Sequence, residues 1–174
     1  MKELVLLTEW YLHTTRTTIG RLFFQYIKDY VQLPLVQVKE EFCYTLGDTL
    51  RPDNVKVYGE TCLPAGLKCK VKLFENAHYG KTLILHTEDD GRTIKWNGLT
   101  WTDVLFHNGV TFADTDACVL VGKNIVSPTY TDLRVTSEPT LYNGMKDALR
   151  TFVEQKINEG YTVTAEFTNL TQLQ

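Results

Sequence analysis

Short segments in which apolar and polar residues alternate dominate the chain, and they predict a structure built mainly from β-strands. Residues 68–74 alternate between lysines and apolar residues, which is the period-two pattern of a strand with one buried face and one face in water. Residues 161–168 alternate in the same way and predict a final strand. Further apolar runs of strand length lie at residues 3–12, 82–86, 104–107 and 117–121.

One clear helix is predicted toward the end of the chain, over residues 139–158. Its apolar residues recur three or four positions apart, as on the buried face of an amphipathic helix. Ser137 suits the N-cap position, and Gly160 can end the helix. The expected role of this helix is to cover one face of a sheet.

Residues 16–33 are consistent with two different structures. Their apolar residues fit the spacing of a helix, yet their aromatic and β-branched content, followed by Pro34, fits a hairpin that continues into residues 36–38. The pattern alone does not choose between the helix and the hairpin.

Length and composition bound the fold class. The 174 residues are 43% hydrophobic, and no linker, repeat or low-complexity tract divides them, so one domain over residues 1–174 is expected. We therefore predict a mainly β (α+β) domain, a β-rich sheet or barrel-like fold with one C-terminal amphipathic helix (139–158) and a final strand (161–168).

Charge and hydropathy exclude some functions. A formal net charge of −3 argues against general nucleic acid binding, which needs a basic surface. No run of residues approaches the 18 apolar positions of a membrane span, so no membrane association is predicted. The apolar run after Met1 is too short for a secretion signal, and we expect synthesis in the cytoplasm.

The four cysteines show no metal-binding pattern. They lack CxxC spacing and nearby patterned histidines, so no metal site is expected, and no motif predicts a cofactor. Cys43, Cys62 and Cys69 are expected to be packed, reduced thiols. Asp114 and Asp116 form a short acidic run, but it does not have the ligand order of a calcium-binding loop.

Residues 104–122 contain the best candidate for chemistry. His107 ends one apolar run, Cys118 begins the next, and a polar loop joins them. Adjacent strands connected in this way would place a thiol nucleophile beside its base. The backbone N–H groups of Ala117 or Cys118 could then stabilise an oxyanion. The same spacing is also common by chance, and a purely structural role is the alternative.

A second stretch, residues 51–66, ends in a tight turn that contains Pro64 and Gly66. A turn that shapes the fold is the first interpretation of this stretch. The alternative is that Glu60 or Thr61 lines a site.

Four motifs stand in order within residues 18–126. They are Thr-Ile-Gly-Arg-Leu at 18–22, Cys-Tyr-Thr-Leu-Gly-Asp at 43–48, Lys-Val-Tyr-Gly-Glu-Thr-Cys-Leu-Pro-Ala-Gly at 56–66, and a block with Phe-His-Asn-Gly-Val at 106–110 and Asp-Thr-Asp-Ala-Cys-Val-Leu-Val-Gly at 114–122. As an ordered set they resemble a family of bacterial and phage proteins known as domain of unknown function 5675. This resemblance favours strand over helix for residues 18–24 and implies an enlarged hairpin at residues 25–40.

The last block is also similar to the motif of L,D-transpeptidases, cysteine enzymes that crosslink or trim peptidoglycan. That similarity implies Cys118 as nucleophile and His107 as base or orienting partner, with Asp114 and Thr115 of the same block in support. Ala117 stands where the pattern has glycine, and no second histidine directly precedes Cys118.

Two functions follow from these features. The first is a phage-associated structural or host-interaction module, a virion component with a degenerate cysteine-enzyme-like site, whose partners would be other phage or host proteins or further copies of the chain. The alternative is a cysteine hydrolase or transpeptidase-like enzyme that acts on peptidoglycan stem peptides. Ala117 and the lack of a secretion signal place the first slightly ahead, and it implies a location in the virion after synthesis.

Overall fold

Strands form most of the molecule. The computed structural model describes residues 2–28, 36–52, 55–129, 132–136 and 144–170. The elements within these ranges are β1 (Lys2–His13), β2 (Thr18–Lys28), β3 (Val36–Gly47), β4 (Lys68–Asn76), β5 (Gly80–His86), β6 (Thr93–Trp96), β7 (Leu99–Thr102), β8 (Leu105–His107), β9 (Val119–Gly122), β10 (Asn124–Thr129), β11 (Asp132–Thr136), α1 (Gly144–Asn158) and β12 (Tyr161–Asn169).

Eight of these strands close into a barrel in the order β1-β12-β4-β5-β8-β9-β3-β2. Neighbouring strands are antiparallel except for β1 with β12 and β8 with β9, which are parallel. The pairing of β1 with β12 joins the two ends of the described chain, since Lys2 lies opposite Tyr161. Closure removes the unpaired sheet edges that an open sheet would expose.

Alternate side chains of each barrel strand point inward and fill the barrel. On β1 the inward apolar residues are Leu4, Leu6 and Trp10, all fully buried. The Trp10 ring stacks on Phe167 of β12 with centroids 5.9 Å apart. Burial of this apolar surface is the main source of the free energy of folding.

Helix α1 packs its apolar face onto the same core. Leu149 and Val153 are fully buried, and the Phe152 ring stacks on Phe24 of β2 with centroids 4.1 Å apart. Lys146 is also buried, and its Nζ donates to the Tyr79 backbone carbonyl at 2.6 Å. With 15 residues, α1 is too short and too polar to span a membrane. No helix among the described residues has the length and apolar character that this requires.

The hairpin of β10 and β11 covers part of the barrel's outer surface. Leu133 and Val135 of the hairpin form a second buried cluster with Ile19, Leu46 and Leu120 of the barrel. Leu120 alternates with Val119 and Val121, which belong to the interior cluster. Strand β9 is therefore apolar on both faces, which explains its continuous apolar run.

The predicted mainly β domain with one helix and a final strand is confirmed. Residues 18–28 are a strand, so the hairpin alternative is correct for them, while residues 29–35 of the predicted 25–40 insertion lie outside the described residues. The predicted helix is present from Gly144 to Asn158, and residues 137–143 lie outside the described residues as well.

Candidate functional site

Strands β8 and β9 bring the two parts of the candidate site together. They are parallel neighbours, with Phe106 opposite Val119 and His107 opposite Leu120. Phe106 points into the barrel, so Leu105 and His107 point outward. Cys118 lies just before the first residue of β9, not inside the strand as its apolar run predicted.

The Cys118 thiol is buried in apolar packing. Its residue is 9% exposed and belongs to a small outer cluster with Ile84 and Leu105. The Leu105 backbone N–H donates to Cys118 Sγ at 3.3 Å, and the thiol contacts the Asp103 carbonyl oxygen at 3.8 Å. Burial raises the pKa of the thiol to about 11, and nearby carboxylates act in the same direction.

The His107 side chain is buried and fixed. It is 1% exposed, and its ring stacks on Tyr79 with centroids 4.1 Å apart. Its Nδ1 lies 2.8 Å from the Asn108 carbonyl oxygen. A carbonyl can only accept, so Nδ1 carries the proton and Nε2 is the basic nitrogen in the neutral ring. Burial lowers the pKa of His107, which keeps the ring neutral near pH 7.

The two side chains share one face but are not directly paired. Since His107 lies opposite Leu120, it is displaced from Cys118 by two residues along the strand, roughly 6–7 Å. No hydrogen bond joins their side chains. The charged groups that shift their pKa values also differ. Asp116, Asp48 and Asp103 raise the pKa of Cys118. Asp114 raises the pKa of His107, whereas His78 and Lys146 lower it.

Ala117 adopts a strained backbone that a buried carboxylate holds in place. Its φ is +71°, in the left-handed region that favours glycine. Its N–H donates to Asp48 Oδ2 at 2.7 Å, so this predicted oxyanion donor is already engaged. Thr115, predicted as a supporting catalytic residue, donates its hydroxyl to the Cys118 carbonyl at 2.8 Å and lies 3.3 Å from Asp48 Oδ2.

Asp48 is only 3% exposed, and burial raises its pKa to about 6. The Ala117 N–H and the Thr115 hydroxyl oppose this rise in pKa, whereas Asp116 and Glu60 add to it. Sequence reasoning did not select Asp48 as a site residue, because its partner Ala117 is 69 positions away. Its place at the end of the 43–48 motif was the one available signal.

Asp114 organises the loop between β8 and β9. Its Oδ2 accepts the N–H groups of Val110 and Thr111, each at 2.8 Å, and it completes a capping box on the short 3₁₀ turn Phe112–Asp114. Burial alone would raise the pKa of Asp114, but these hydrogen bonds outweigh it and the pKa is lowered. Asp114 is thus an ionised structural cap.

A polar cleft lies where these groups meet, and we call it the β8–β9 cleft. It has a volume of about 400 Å³, and both His107 and Cys118 line it. An adjoining depression of about 530 Å³ shares Tyr79, Asp114 and Asp116 with it. The other lining residues of the cleft are Lys56, Val57, Tyr58, Gly59, Thr61, Asn76, Trp101, Thr102, Asp103, Leu105 and Ala117.

The 56–61 segment forms one wall of this cleft. Thr61 lines it, as the alternative interpretation of this stretch proposed, while Glu60 forms an ion pair with Arg51 at 3.3 Å. Lys56, the first residue of the 56–66 motif, also lines the cleft, and so does Tyr79, which lies outside every motif. Within the described residues, His, Cys, Asp and Glu side chains form no group of three that could hold a metal ion.

Cys43, Cys62 and Cys69 are buried free thiols, as expected. Burial raises the pKa of Cys62 and of Cys69 to about 12 in each case, and it raises that of Cys43 still further. These three residues therefore contribute packing and not nucleophilic chemistry.

No protein-family model matches this chain, and neither the curated proteins nor the solved structures give a significant match. The class that the described residues establish is a closed eight-stranded β-barrel with one packed helix and an outer cleft. The family resemblance drawn from the motifs stays a prediction.

Proposed function

We propose that this chain is a catalytically silent β-barrel module that acts by binding a partner at the β8–β9 cleft. The observation that carries this proposal is the burial of the Cys118 thiol, with the Leu105 N–H directed at its sulfur and no hydrogen bond to His107. A thiol nucleophile needs solvent access and an adjacent base. The surroundings of Cys118 favour neither.

The ionisation of Cys118 supports the same proposal. With a pKa of about 11, only about one thiol in 10⁴ is ionised at pH 7, a difference of four pH units. The aspartates around it would also repel a developing thiolate. The Ala117 N–H, which could have stabilised an oxyanion, is held by Asp48.

The wider setting of this module rests on the motif resemblance alone. We propose a phage-associated role, as a virion component whose partners are phage or host proteins, because the ordered motifs resemble a family from phages and bacteria. The folded barrel would then serve as a rigid support for the cleft.

A cysteine hydrolase or transpeptidase-like enzyme is the second candidate. One observation favours it: His107 and Cys118 line the same cleft, and the Nδ1–H form of His107 leaves Nε2 as a base. A substrate that widened the cleft would have to bring the two groups together.

Alkylation of the native protein by iodoacetamide at pH 7.5, followed by mass spectrometry of each cysteine peptide, separates the two candidates. We expect Cys118 to react more slowly than free cysteine and at the same rate in His107→Ala. His86→Ala is the matched control, because its Nδ1 makes a similar contact with the Glu88 carbonyl oxygen at 2.9 Å. Reaction in urea confirms that all four cysteines are reduced and able to react. Rapid alkylation of Cys118 that requires His107 would overturn the silent-module proposal and establish an activated nucleophile.

A further inference from the structure

We infer that the β8–β9 cleft binds an extended segment of a partner protein in which a lysine-type ammonium adjoins an apolar side chain. This inference deepens the proposed function and rests on it. Three features of the described residues carry it: an unpaired carboxylate in the cleft, the lack of a free cation in its wall, and an exposed apolar rim beside that carboxylate.

The charge of the cleft is negative where it meets the adjoining depression. Asp116 is exposed and makes no ion pair or hydrogen bond with any part of the chain that the structure describes. Asp114 beside it uses Oδ2 to hold the backbone and remains ionised. Asp103 differs, because Arg92 already pairs with both of its oxygens at 2.6 and 2.7 Å.

The lysine in the cleft wall does not neutralise these carboxylates. Lys56 is the single lysine or arginine among the described residues that line the cleft. Its Nζ donates to the Thr100 carbonyl and lies 5.2 Å from the centroid of the Trp101 ring. Both contacts engage the ammonium, and no ion pair joins it to Asp116, so a cation from a partner would find Asp116 available.

An apolar rim borders this acidic region. Tyr58 is 90% exposed, and Val55 and Val57 are each close to 40% exposed. The rim lies close to Asp116. A Cβ placed on Gly59, the residue after Tyr58, would be only 3.0 Å from Asp116 Oδ1. Tyrosine is one of the residue types enriched among those that dominate the energy of protein interfaces.

The rim is also organised before a partner binds. The Val57 N–H donates to Thr61 Oγ1 at 2.8 Å, and the Thr61 hydroxyl lies 3.0 Å from the Val57 carbonyl. The Glu60 N–H donates to the same carbonyl at 3.1 Å. A loop held by its own hydrogen bonds loses little conformational entropy on binding. The neighbouring carboxylate and rim therefore present one surface to a cation and the apolar group next to it.

Two acetylated, amidated tetrapeptides test this inference, one with the sequence Ala-Leu-Lys-Ala and one with norleucine in place of lysine. Each is titrated into the ¹⁵N-labelled full chain, and amide shifts are followed by NMR. We expect shifts in residues 56–61 and 113–118 and tighter binding of the lysine peptide by up to about fivefold, the upper end of the range for an exposed ion pair. We expect Asp116→Asn to remove the preference for the lysine peptide and Tyr58→Ala to weaken the binding of both peptides.

Asp89→Asn, an exposed carboxylate outside the cleft, is the matched control and is expected to change neither affinity. Both cleft variants alter exposed side chains, and an unchanged melting temperature confirms that they fold. Equal affinity for the two peptides, shifts that map elsewhere, or a lysine preference that survives Asp116→Asn would each overturn the inference. These outcomes are distinct from rapid alkylation of Cys118, which would overturn the silent-module proposal itself.

Discussion

The backbone conformation of Ala117 is strained, and its surroundings hold it in that conformation. A residue with a Cβ at φ of +71° is less stable by about 1–2 kcal/mol than in an ordinary conformation. The hydrogen bond from its N–H to buried Asp48 holds it there and so fixes the entry into β9. The motif that this segment resembles has glycine at the same position, and the observed backbone gives a physical reason for that glycine.

Ala117→Gly is therefore expected to stabilise the protein. Relief of the left-handed strain exceeds the extra entropy that glycine has in the unfolded chain, for a net gain of about 0.5–1 kcal/mol. Urea denaturation measures this free energy of unfolding. Ala113→Gly is a matched control in the same loop, where φ is not positive, and we expect no gain there. If Ala117→Gly raises the free energy of unfolding no more than Ala113→Gly does, the strain argument is contradicted.

Asp48 makes stability depend on pH in a predictable direction. Its folded-state pKa of about 6 lies above the ordinary 3.8, so the folded protein binds this proton more tightly than the unfolded chain. The stability contributed by protonation is complete below pH 3.8 and is lost as the pH rises through about 6. Between pH 8 and pH 4, the folded state should gain up to about 3 kcal/mol from this group, from about two pKa units at 1.36 kcal/mol each.

Asp48→Asn tests this dependence, because an asparagine oxygen can still accept the Ala117 N–H while the side chain no longer titrates. We expect the wild type to gain stability relative to this variant as the pH falls from 8 to 4. Chemical denaturation at several pH values gives the difference, in which the titration of His107 and the other shared groups cancels. A difference that stays constant across this range would show that Asp48 is not destabilised by its charge.

At the scale of elements, a strand's apolar and polar residues alternate only where no other element packs on its outer face. Strands β1 and β4 show partial alternation because one face is largely exposed or only half-buried. Strand β9 shows none, because the β10–β11 hairpin covers its outer face through Leu133 and Val135. Helix α1 likewise contributes Leu149 and Val153 to the core. The positions of the predicted strands could therefore be inferred from the sequence, whereas the hairpin that covers β9 could not.

The same distinction applies to the candidate site. The connection between two apolar runs was enough to predict neighbouring strands at this place, and β8 and β9 are neighbours, with His107 in β8 and Cys118 directly before β9. Their relation within that pair depends on register, which set His107 opposite Leu120 and left Cys118 beside Leu105. Burial of the thiol depends on packing from β5, through Ile84. No local pattern contains register or packing between distant strands.

At the scale of the whole molecule, barrel closure depends on the longest-range pairing. Strand β12 lies between β1 and β4 in the barrel. Its first residue, Tyr161, pairs with Lys2 of β1, which is 159 positions away in the sequence. The sequence predicted a final alternating strand but carried no signal for which strands it would join. Because β12 contacts both neighbours, its loss would open the barrel, and we expect the closed sheet to unfold as one cooperative unit.

Phe167→Ala tests that cooperativity. Phe167 is fully buried and stacks on Trp10, so its truncation is expected to cost about 3–5 kcal/mol. Urea unfolding should remain a single transition at a lower midpoint, and amide hydrogen exchange should accelerate together in β1, β4 and β12. Thr162→Ala, an exposed position on the same strand, is the control and should cost less than about 0.5 kcal/mol. Accelerated exchange confined to β12 would mean that the strand detaches alone, and the barrel would then be stable without its closing strand.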